Sequence, residues 1–325
     1  MSFAARHWYR LSPVSVLLFP ACLVFRFLVA LRRLLYSLGV LRSVRLHVPV
    51  IVVGNLTAGG TGKTPLILAL AQALHRKGRL PGIVSRGYGG AHVAPHRVSV
   101  GDDPARVGDE PLLLAERSGC PVWIGADRVA AARALLAGNA QCDVILCDDG
   151  LQHYRLHRDF EIAVEDERGF GNGLMLPAGP LREPANRRVD ATVVNGPESR
   201  SGAFRMRLTP AGFYRVGEHA APVAPSDLSG RSLHAVAGIG NPERFFAELA
   251  RLGLNFTAHP FPDHHPFRPS DLEFIDCDFV LMTEKDAVKC RRFGRSDLIA
   301  ARVDAEPDPA LTDLILKRIH GRAPA

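Results

Sequence analysis

The chain has 325 residues, of which 47% are hydrophobic and 22% charged, and a formal net charge of +7. This composition excludes a disordered or collagen-like chain, and six cysteines are too few for a disulfide-rich scaffold. The length is that of about two domains.

The N-terminal part of the chain carries the whole charge excess. Residues 1–50 contain seven arginines, no lysine and no acidic residue, and the first acidic residue of the chain is Asp102. The other 33 basic residues are matched by 33 acidic ones. A nucleic-acid-binding domain would show a basic surface on its folded body, so nucleic acid is not the partner that this charge distribution predicts.

The same segment is rich in leucine, valine and phenylalanine between Val14 and Leu35, but Pro20 and Arg26 interrupt it. A membrane span needs about 20 apolar residues with few charges, and no cleavage site of a secretory signal follows. We expect residues 1–47 to form a helical segment that associates with a membrane surface through arginines and apolar side chains. A single span and a helix packed on the protein's own core are the alternatives.

A strand and a glycine-rich loop come next. The run Val48–Val53 predicts a buried parallel strand, and an apolar-periodic helix is predicted from Pro65 to about His75. Between them, Gly59-Gly-Thr-Gly-Lys-Thr64 has the context of a phosphate-binding loop, in which Lys63 reaches the phosphates and Thr64 binds Mg²⁺. The residues predicted to hold the nucleotide are Asn55, Thr57, Ala58, Gly59, Gly60, Thr61, Gly62, Lys63 and Thr64.

This loop departs from the usual phosphate-loop pattern at one position. The first glycine of the pattern is Thr57 here, five residues before Gly62. The structural alternative is a glycine-rich turn with an incidental lysine.

Strands and helices continue to alternate along the chain. Further strands are predicted at 82–85, 122–125, 143–147, 160–164 and 191–195, and helices at about 109–117 and 127–137. The alternation is typical of an α/β fold with a mainly parallel sheet and helices on both faces.

Two aspartates end the predicted strand at 143–147. Carboxylates such as Asp148 and Asp149, at the C-terminal edge of a neighbouring parallel strand, are where a phosphate-loop enzyme holds Mg²⁺. Adjacent side chains on an extended backbone point in different directions, so one can serve the metal while the other meets solvent or substrate. An ordinary strand-end turn is the alternative.

Two other segments are ambiguous by their residues alone. Asp109, in Gly108-Asp-Glu-Pro111, opens a predicted helix and could be only its N-cap. The loop Phe261-Pro-Asp-His-His-Pro-Phe267 could bind metal, form a general-base pair or cap a turn. No third and fourth ligand at zinc spacing accompanies it.

The pattern changes after residue 203. Residues 203–208 and 213–216 alternate around a Pro/Gly turn and predict two antiparallel strands. A second α/β unit follows, with strands at 233–237, 278–282 and 299–303, a helix from 241 to about 252, and a final helix from 309. We expect four parts: a membrane-associating segment (1–47), a phosphate-loop core (48–205), a β-hairpin linker (206–220) and a smaller C-terminal α/β domain (221–325).

Together and in this order, the motifs resemble those of the tetraacyldisaccharide 4′-kinase family, the lipid A 4′-kinases of Gram-negative envelope synthesis. The family's loop also looks non-standard at the position of Thr57. The matching segments are Val53–Pro65, Ser85–Gly90, Gly108–Pro111, Asp148–His153, Leu176–Glu183, Asp263–His265 and Thr283–Asp286.

The resemblance implies an enzyme that transfers the γ-phosphate of ATP, with Mg²⁺, to the 4′-hydroxyl of a tetraacyldisaccharide 1-phosphate lipid. The product would be lipid IV-A, and the core at 48–205 would be the kinase core. The implied partners are the lipid disaccharide and an anionic membrane surface, with no nucleic acid and no obligate protein partner. The implied location is the cytoplasmic face of the inner membrane, with peripheral or monotopic attachment through the N-terminal segment.

The resemblance also implies roles for individual residues. Asp109 would be the catalytic base, supported by a histidine of the 263–265 loop, for which we favour His264 over His265. Because this loop lies in the second domain, domain closure would have to bring His264 to Asp109. Lys63 and Asp149 complete the predicted catalytic set, and Thr64, Asp148 and Asp149 are the predicted metal ligands. The residues predicted to line the substrate site are Glu110, His153, Arg182 and Glu183.

Other functions remain open at this point. The main alternative is a membrane-associated phosphate-loop NTPase switch or regulatory ATPase. A GTPase would show Asn-Lys-x-Asp for guanine, whereas Thr283-Glu-Lys-Asp286 has its lysine one position late. A soluble phosphate-loop kinase or synthetase would leave the apolar N-terminus unexplained, and a non-enzymatic adaptor would leave the phosphate loop and the aspartate pair unexplained.

Overall fold

The computed structural model describes residues 7–87, 94–196, 200–217 and 221–319. Its N-terminal helices are α1 (Pro13–Leu17) and α2 (Phe19–Ser37). The strands that follow are β1 (Val50–Gly54), β2 (Pro81–Ser85), β3 (His96–Val98), β4 (Val122–Ile124), β5 (Val144–Asp148), β6 (Phe160–Asp166), β7 (Ala191–Asn195), β8 (Phe204–Arg215), β9 (Pro222–Val223), β10 (Leu233–Ala237), β11 (Thr257–Pro260), β12 (Phe279–Thr283) and β13 (Leu298–Pro307). The remaining helices are α3 (Lys63–Arg76), α4 (Pro104–Val107), α5 (Asp109–Ser118), α6 (Arg128–Gly138), α7 (Pro225–Leu228), α8 (Pro242–Arg251), α9 (Glu284–Cys290) and α10 (Pro309–Ile319).

The described strands form one sheet in the order β11-β10-β12-β13-β8-β7-β6-β1-β5-β2-β4-β3, with β9 beside β8. In the first unit, β1 lies between β5 and β6 and is parallel to both. The second unit has a parallel group of its own, in which β12 lies between β10 and β13. The predicted α/β class with a mainly parallel sheet is confirmed.

Helices cover both faces of the first unit because β1 is buried on both sides. Ile51 and Val53 pack into one core with apolar residues of α3 and α5, whereas Val50 and Val52 pack into another with α6. A strand buried on two faces needs a continuous rather than an alternating apolar run, and Val50–Val53 is such a run.

The predicted β-hairpin at 206–220 is wrong. Residues 204–215 form the single strand β8, whose main antiparallel partner is β13, about 90 residues later in the chain; the short strand β9 pairs only with Phe213 and Tyr214. Gly212, with φ of 104°, and a register shift between Ala301 and Val303 bend this ribbon where the hairpin turn was expected. The linker between the units is therefore two-stranded, but its second strand comes from the C-terminal unit.

The last helix does not pack within the C-terminal unit. Leu311, Ile315 and Ile319 of α10 are buried in the first unit's core together with α3. The C-terminal helix thus packs against the first unit, although it follows the boundary predicted at residue 221. The four-part division remains a prediction about folding units.

The N-terminal helices attach to the first unit by one face only. Cys22 of α2 is buried in the core that also holds β1 and α6 residues. The other face leaves a continuous series of large apolar side chains in solvent: Leu23, Val24, Phe27, Leu28, Leu31 and Leu34. None of the described helices combines the length and the apolar character that crossing a bilayer requires.

Candidate active site

The phosphate loop joins β1 to α3 and is held by side chains around it. Asn55 is fully buried; its amide donates to the carbonyl of Gly59 at 2.9 Å, and its Oδ1 accepts from Lys63 Nζ at 3.2 Å. Gly62 has φ of 97°, and a Cβ there would lie 2.6 Å from Asn195 Nδ2. The loop therefore needs glycine at this position for two reasons, conformation and space.

Thr57 does not continue the glycine pattern because it is part of a different contact. It is buried and bridges to Leu181, and the next backbone N–H, that of Ala58, donates to Pro180 O at 2.7 Å. The segment Leu176–Glu183 thus braces the start of the loop.

Asp149 lies beside the phosphate-loop lysine, at the end of β5. Its carboxylate is 3.6 Å from Lys63 Nζ and accepts from Arg182 Nη1 at 2.9 Å. Burial acts to raise the pKa of Asp149, but the two cations outweigh burial and lower it. Asp149 has φ of 47° and is one of the few described non-glycine residues in the left-handed region, as is His264 at 59°. Such strain is often found at functional sites.

Asp148 has the environment of a cation ligand. It is buried, its Oδ2 accepts from Ser85 Oγ at 2.9 Å, and its Oδ1 is buried without a hydrogen bond. Burial, with the charges of Glu110 and Asp149, raises the pKa of Asp148 to about 7. A carboxylate oxygen left unsatisfied beside like charges fits a divalent cation.

These carboxylates would supply only part of a cation's coordination. Among the described residues, no group of three or more His, Cys, Asp and Glu side chains is arranged to hold a metal ion. Mg²⁺ in kinases takes the rest of its ligands from substrate phosphates and water.

Asp109 and His264 are in contact. Asp109 is buried at the first turn of α5, and His264 Nδ1 lies 3.1 Å from its Oδ2. The N-cap of α5 is Gly108, not Asp109, whose Oδ1 accepts from the N–H of Glu110 at 2.9 Å. The structure thus shows His264 touching Asp109 without further domain closure, while His265 bonds to Asp271 at 3.0 Å instead.

The ionisation of Asp109 and His264 follows from their hydrogen bond and from the nearby lysines. Burial acts to raise the pKa of the Asp109 carboxyl, but the hydrogen bond from His264 and the charges of Lys285 and Lys289 outweigh it and lower the pKa. The hydrogen bond to Asp109 in turn raises the pKa of His264. The pair therefore consists of a carboxylate held ionised by an imidazole and two ammonium groups.

Helix α9 carries these lysines and is bonded to α5 along its length. Lys285 Nζ is 2.9 Å from Glu110 Oε1, and the guanidinium of Arg291, directly after α9, donates to both oxygens of Glu116, at 2.6 and 2.8 Å. Arg117 of α5 pairs with Glu284 at 2.7 Å. These contacts fix the second unit against the first at the site.

A cavity of about 260 Å³ lies beside the phosphate loop. It lies between the phosphate loop and the second unit and is bordered by Lys63, Thr64, Glu110 and Lys285. Much of its lining is apolar and comes from α3, α5, the β8–β13 ribbon, α8 and the loop before α8: Leu68, Leu113, Leu208, Phe213, Ile239 and Phe245. A polar end beside an apolar chamber is typical of a site for a phosphorylated ligand with an organic body.

The residues predicted to line the substrate site lie in different environments. Glu110 borders the cavity, and Arg182 reaches Asp149. His153 is partly buried on the side of the N-terminal helices; burial and then Arg128 lower its pKa to about 4.

Glu183 is fully buried and not at the surface of the cleft. Its carboxylate accepts from Tyr154 at 2.6 Å and Gln152 at 3.0 Å, and it pairs with Arg187. These contacts make it part of the framework that holds the 182–187 segment.

Several residues of the site were not predicted from the sequence. Arg168 donates to Gly60 O at 2.6 Å, and Arg244, at the start of α8, donates to Asn195 Oδ1 at 2.9 Å. Lys285 was visible only as part of the 283–286 motif, without a role. Residues 88–90 of the motif at 85–90 lie outside the described residues.

Comparisons with known proteins assign the family. Residues 14–320 match the family model for tetraacyldisaccharide-1-P 4′-kinase. The tetraacyldisaccharide 4′-kinase of Methylobacillus flagellatus is 50% identical over 317 residues, covering 97% of this chain and 95% of that protein. The kinase of Azoarcus sp. is 48% identical over 334 residues, covering 100% and 98%.

A solved structure agrees in fold over nearly the whole chain. The crystal structure of the "apo" form of LpxK from Aquifex aeolicus in complex with ATP is similar with a TM-score of 0.79 at 29% identity. The match covers 94% of this chain and 99% of that one. The family model and the two relatives of about 50% sequence identity show the same relationship. The chain belongs to the tetraacyldisaccharide 4′-kinase family.

Proposed function

We propose that this protein transfers the γ-phosphate of ATP to the 4′-hydroxyl of a tetraacyldisaccharide 1-phosphate lipid. The observation that carries the proposal is the Asp109–His264 contact of 3.1 Å, made between two units. The neighbours of this pair, Glu110 and Lys285, border the same cavity as the phosphate-loop residue Lys63. An alcohol acceptor needs a group that takes its proton, and a phosphate loop supplies the donor.

The phosphate loop would bind the ATP phosphates. Backbone N–H groups of residues 59–64 at the start of α3 favour anions, and Lys63 places a positive charge there. Asn55 and Asp149 position the Lys63 ammonium from two sides. The apolar chamber beyond the loop accommodates the body of the nucleotide.

Mg²⁺ would be held by Thr64, Asp148 and Asp149, and when bound it neutralises charge on the phosphates. The buried Oδ1 of Asp148, without a hydrogen bond, supports this assignment. The protein's own contribution is to keep both aspartates close to Lys63 through Ser85 and Arg182.

Asp109 would be the general base. Its carboxylate is kept ionised by His264, Lys285 and Lys289, so it is available to accept the acceptor hydroxyl's proton. His264 orients the carboxylate and stabilises its charge.

The lipid substrate would approach from the side of the N-terminal helices. Glu110, His153 and Arg182 are the polar groups proposed to face its sugar and phosphate, and Glu183 supports them from within. The exposed apolar face of α2, with the arginines of residues 1–50, would lie on the cytoplasmic face of the inner membrane. There the enzyme meets a substrate whose acyl chains stay in the bilayer.

The test is an initial-rate assay with radiolabelled γ-phosphate ATP and three acceptors: the disaccharide 1-phosphate lipid in mixed micelles, a water-soluble sugar, and water. We expect Mg²⁺-dependent labelling of the lipid, and loss of labelling in Lys63→Ala without loss of fold. ATP hydrolysis that occurs at equal rate without the lipid would support the alternative, a membrane-associated NTPase switch.

A further inference from the structure

Lys285 is the second residue of α9 and lies at the centre of the charged groups of the site. Its ammonium nitrogen is 2.9 Å from Glu110 Oε1, 3.5 Å from Asp263 Oδ1 and 3.4 Å from His264 Nε2. The side chain is only 17% exposed, and it borders the same cavity as Lys63. One lysine thus joins α5, α9 and the loop that carries His264.

The contact with His264 defines which ring nitrogen carries a proton. A lysine ammonium group has three donors and no acceptor, so in a hydrogen bond with Lys285 the His264 Nε2 must accept. The proton of the neutral ring is then on Nδ1, where it donates to Asp109 Oδ2 at 3.1 Å. The hydrogen bonds with Lys285 and Asp109 agree with one tautomer, and Asp263 Oδ1, at 3.9 Å from Nε2, lies beyond hydrogen-bond distance.

Charged groups surround the His264 ring from α5, from its own loop and from α9. Asp109 and Glu110 belong to α5, Asp263 precedes His264 in its loop, and Lys285 and Lys289 belong to α9, the latter 3.9 Å from Asp109 Oδ2. The hydrogen bond to Asp109 raises the pKa of His264, and the Lys285 charge opposes that rise. A cation at Nε2 makes a second proton on the ring unfavourable.

We propose that Lys285 is a positioning residue that holds His264 in its neutral, Nδ1-protonated form, so that Asp109 and not the imidazole receives the acceptor hydroxyl's proton. This inference deepens the proposed kinase reaction and rests on it. In that reaction the hydroxyl oxygen bonds to the γ-phosphorus, and the bond from the γ-phosphorus to the bridging oxygen breaks with its electrons on ADP. The hydroxyl proton ends on the Asp109 carboxylate. Without Lys285 the ring gains a proton more readily, and an imidazolium beside Asp109 weakens it as a proton acceptor.

The first test compares Lys285→Met, Lys285→Arg and Arg291→Met by pH–rate profiles. For Lys285→Met we expect kcat to fall at least about 10-fold with little change in the KM for ATP. The acid limb of its kcat/KM profile should move up by about one pH unit. Lys285→Arg keeps the charge, so the acid limb of its kcat/KM profile should stay at the wild-type pH. Arg291→Met removes another ion pair with α5, that between the residue directly after α9 and Glu116, and should lower stability without moving the acid limb.

The second test needs no turnover. Nitrogen-15 chemical shifts of His264, assigned with the variant His264→Gln, report the protonation of each ring nitrogen. We expect a protonated Nδ1 and an unprotonated Nε2 in the wild type at about pH 8, and a shift toward Nε2 protonation in Lys285→Met.

An Nε2-protonated neutral ring in the wild type would overturn the inference. So would a Lys285→Met variant whose acid limb and ring shifts are unchanged and whose loss of rate equals that of Arg291→Met. A wild-type protein with the Nδ1 tautomer but no kinase activity would overturn the proposed function and still support the tautomer assignment, so the two failures are distinguishable.

Discussion

The apolar face of α2 gives a quantitative prediction about membrane binding. Phe27 and Leu28 are neighbours on this helix and are 63% and 55% exposed. Burying a whole side chain of this kind contributes about 1.5–3 kcal/mol, so the exposed parts of both together contribute about 2–3 kcal/mol on entering the acyl boundary. Replacing both with glutamine, which keeps the helix, should lower partitioning onto phosphatidylglycerol-containing vesicles by about 30- to 150-fold.

The assay is cosedimentation with vesicles at a series of lipid concentrations. The control is Val100→Gln with Ile275→Gln, which removes apolar side chains that are 55% and 88% exposed elsewhere on the molecule. We expect this control to bind like the wild type. Equal loss in the control, or no loss in Phe27→Gln/Leu28→Gln, would refute the assignment of α2 as the membrane-binding face.

Three further predictions concern the site. Asp109→Asn, which keeps the shape of the side chain, should lower kcat by about 10²–10⁴-fold in protein that remains folded at the assay temperature; near wild-type turnover would remove Asp109 as the base. Gly62→Ala forces a side chain into φ of 97° against Asn195, so it should cost about 1–3 kcal/mol in chemical denaturation and weaken ATP binding. Gly60→Ala, which meets open space, should keep its stability; equal losses would contradict the steric argument. His264 has a raised pKa, so the extra stability that its charged form gains beside Asp109 is fully present below the ordinary histidine pKa of about 6.5. That extra stability is lost as the pH rises through the raised value, which leaves the hydrogen bond of the neutral ring. The Tm advantage of the wild type over His264→Gln should therefore shrink above that pH, and a constant difference would contradict the pairing.

The central strands were predictable because burial on two faces demands a distinctive composition. The apolar run at 143–147 was predicted as a strand and largely coincides with β5, which is buried along its whole length. The edge strands β3 and β11 were missed because each is short, polar and mostly not buried, so nothing in its sequence alternates. An edge strand has only one partner and needs less apolar surface.

The wrong prediction of a hairpin at 206–220 shows that periodicity does not identify the partner of a strand. Alternation at 203–216 correctly indicated extended backbone, but it carries no information about the partner strand. The Pro/Gly turn signal at 209–212 was in fact a bend within one strand, paired with β13. Only tertiary structure reveals a partner about 90 residues away.

The residues of the site also divide into those that the sequence indicated and those that only the structure reveals. Local motifs indicated the phosphate loop and the aspartate pair at the end of β5, because both depend on one strand end each. The family resemblance suggested that Asp109 and His264 act together, and the structure places them in contact. Lys285, Arg168 and Arg244 could not be inferred, because each acts through a partner from a distant segment: Glu110, Gly60 and Asn195 respectively.

The most direct test of the central claim is the position of the transferred phosphate. Phosphorus–proton correlation spectra of the product formed from ATP and the disaccharide 1-phosphate lipid would show it. We predict one new monoester phosphate coupled to the 4′ proton of the distal sugar, formed by the wild type and not by Asp109→Asn. A phosphate on another hydroxyl, or inorganic phosphate as the only product, would contradict the account.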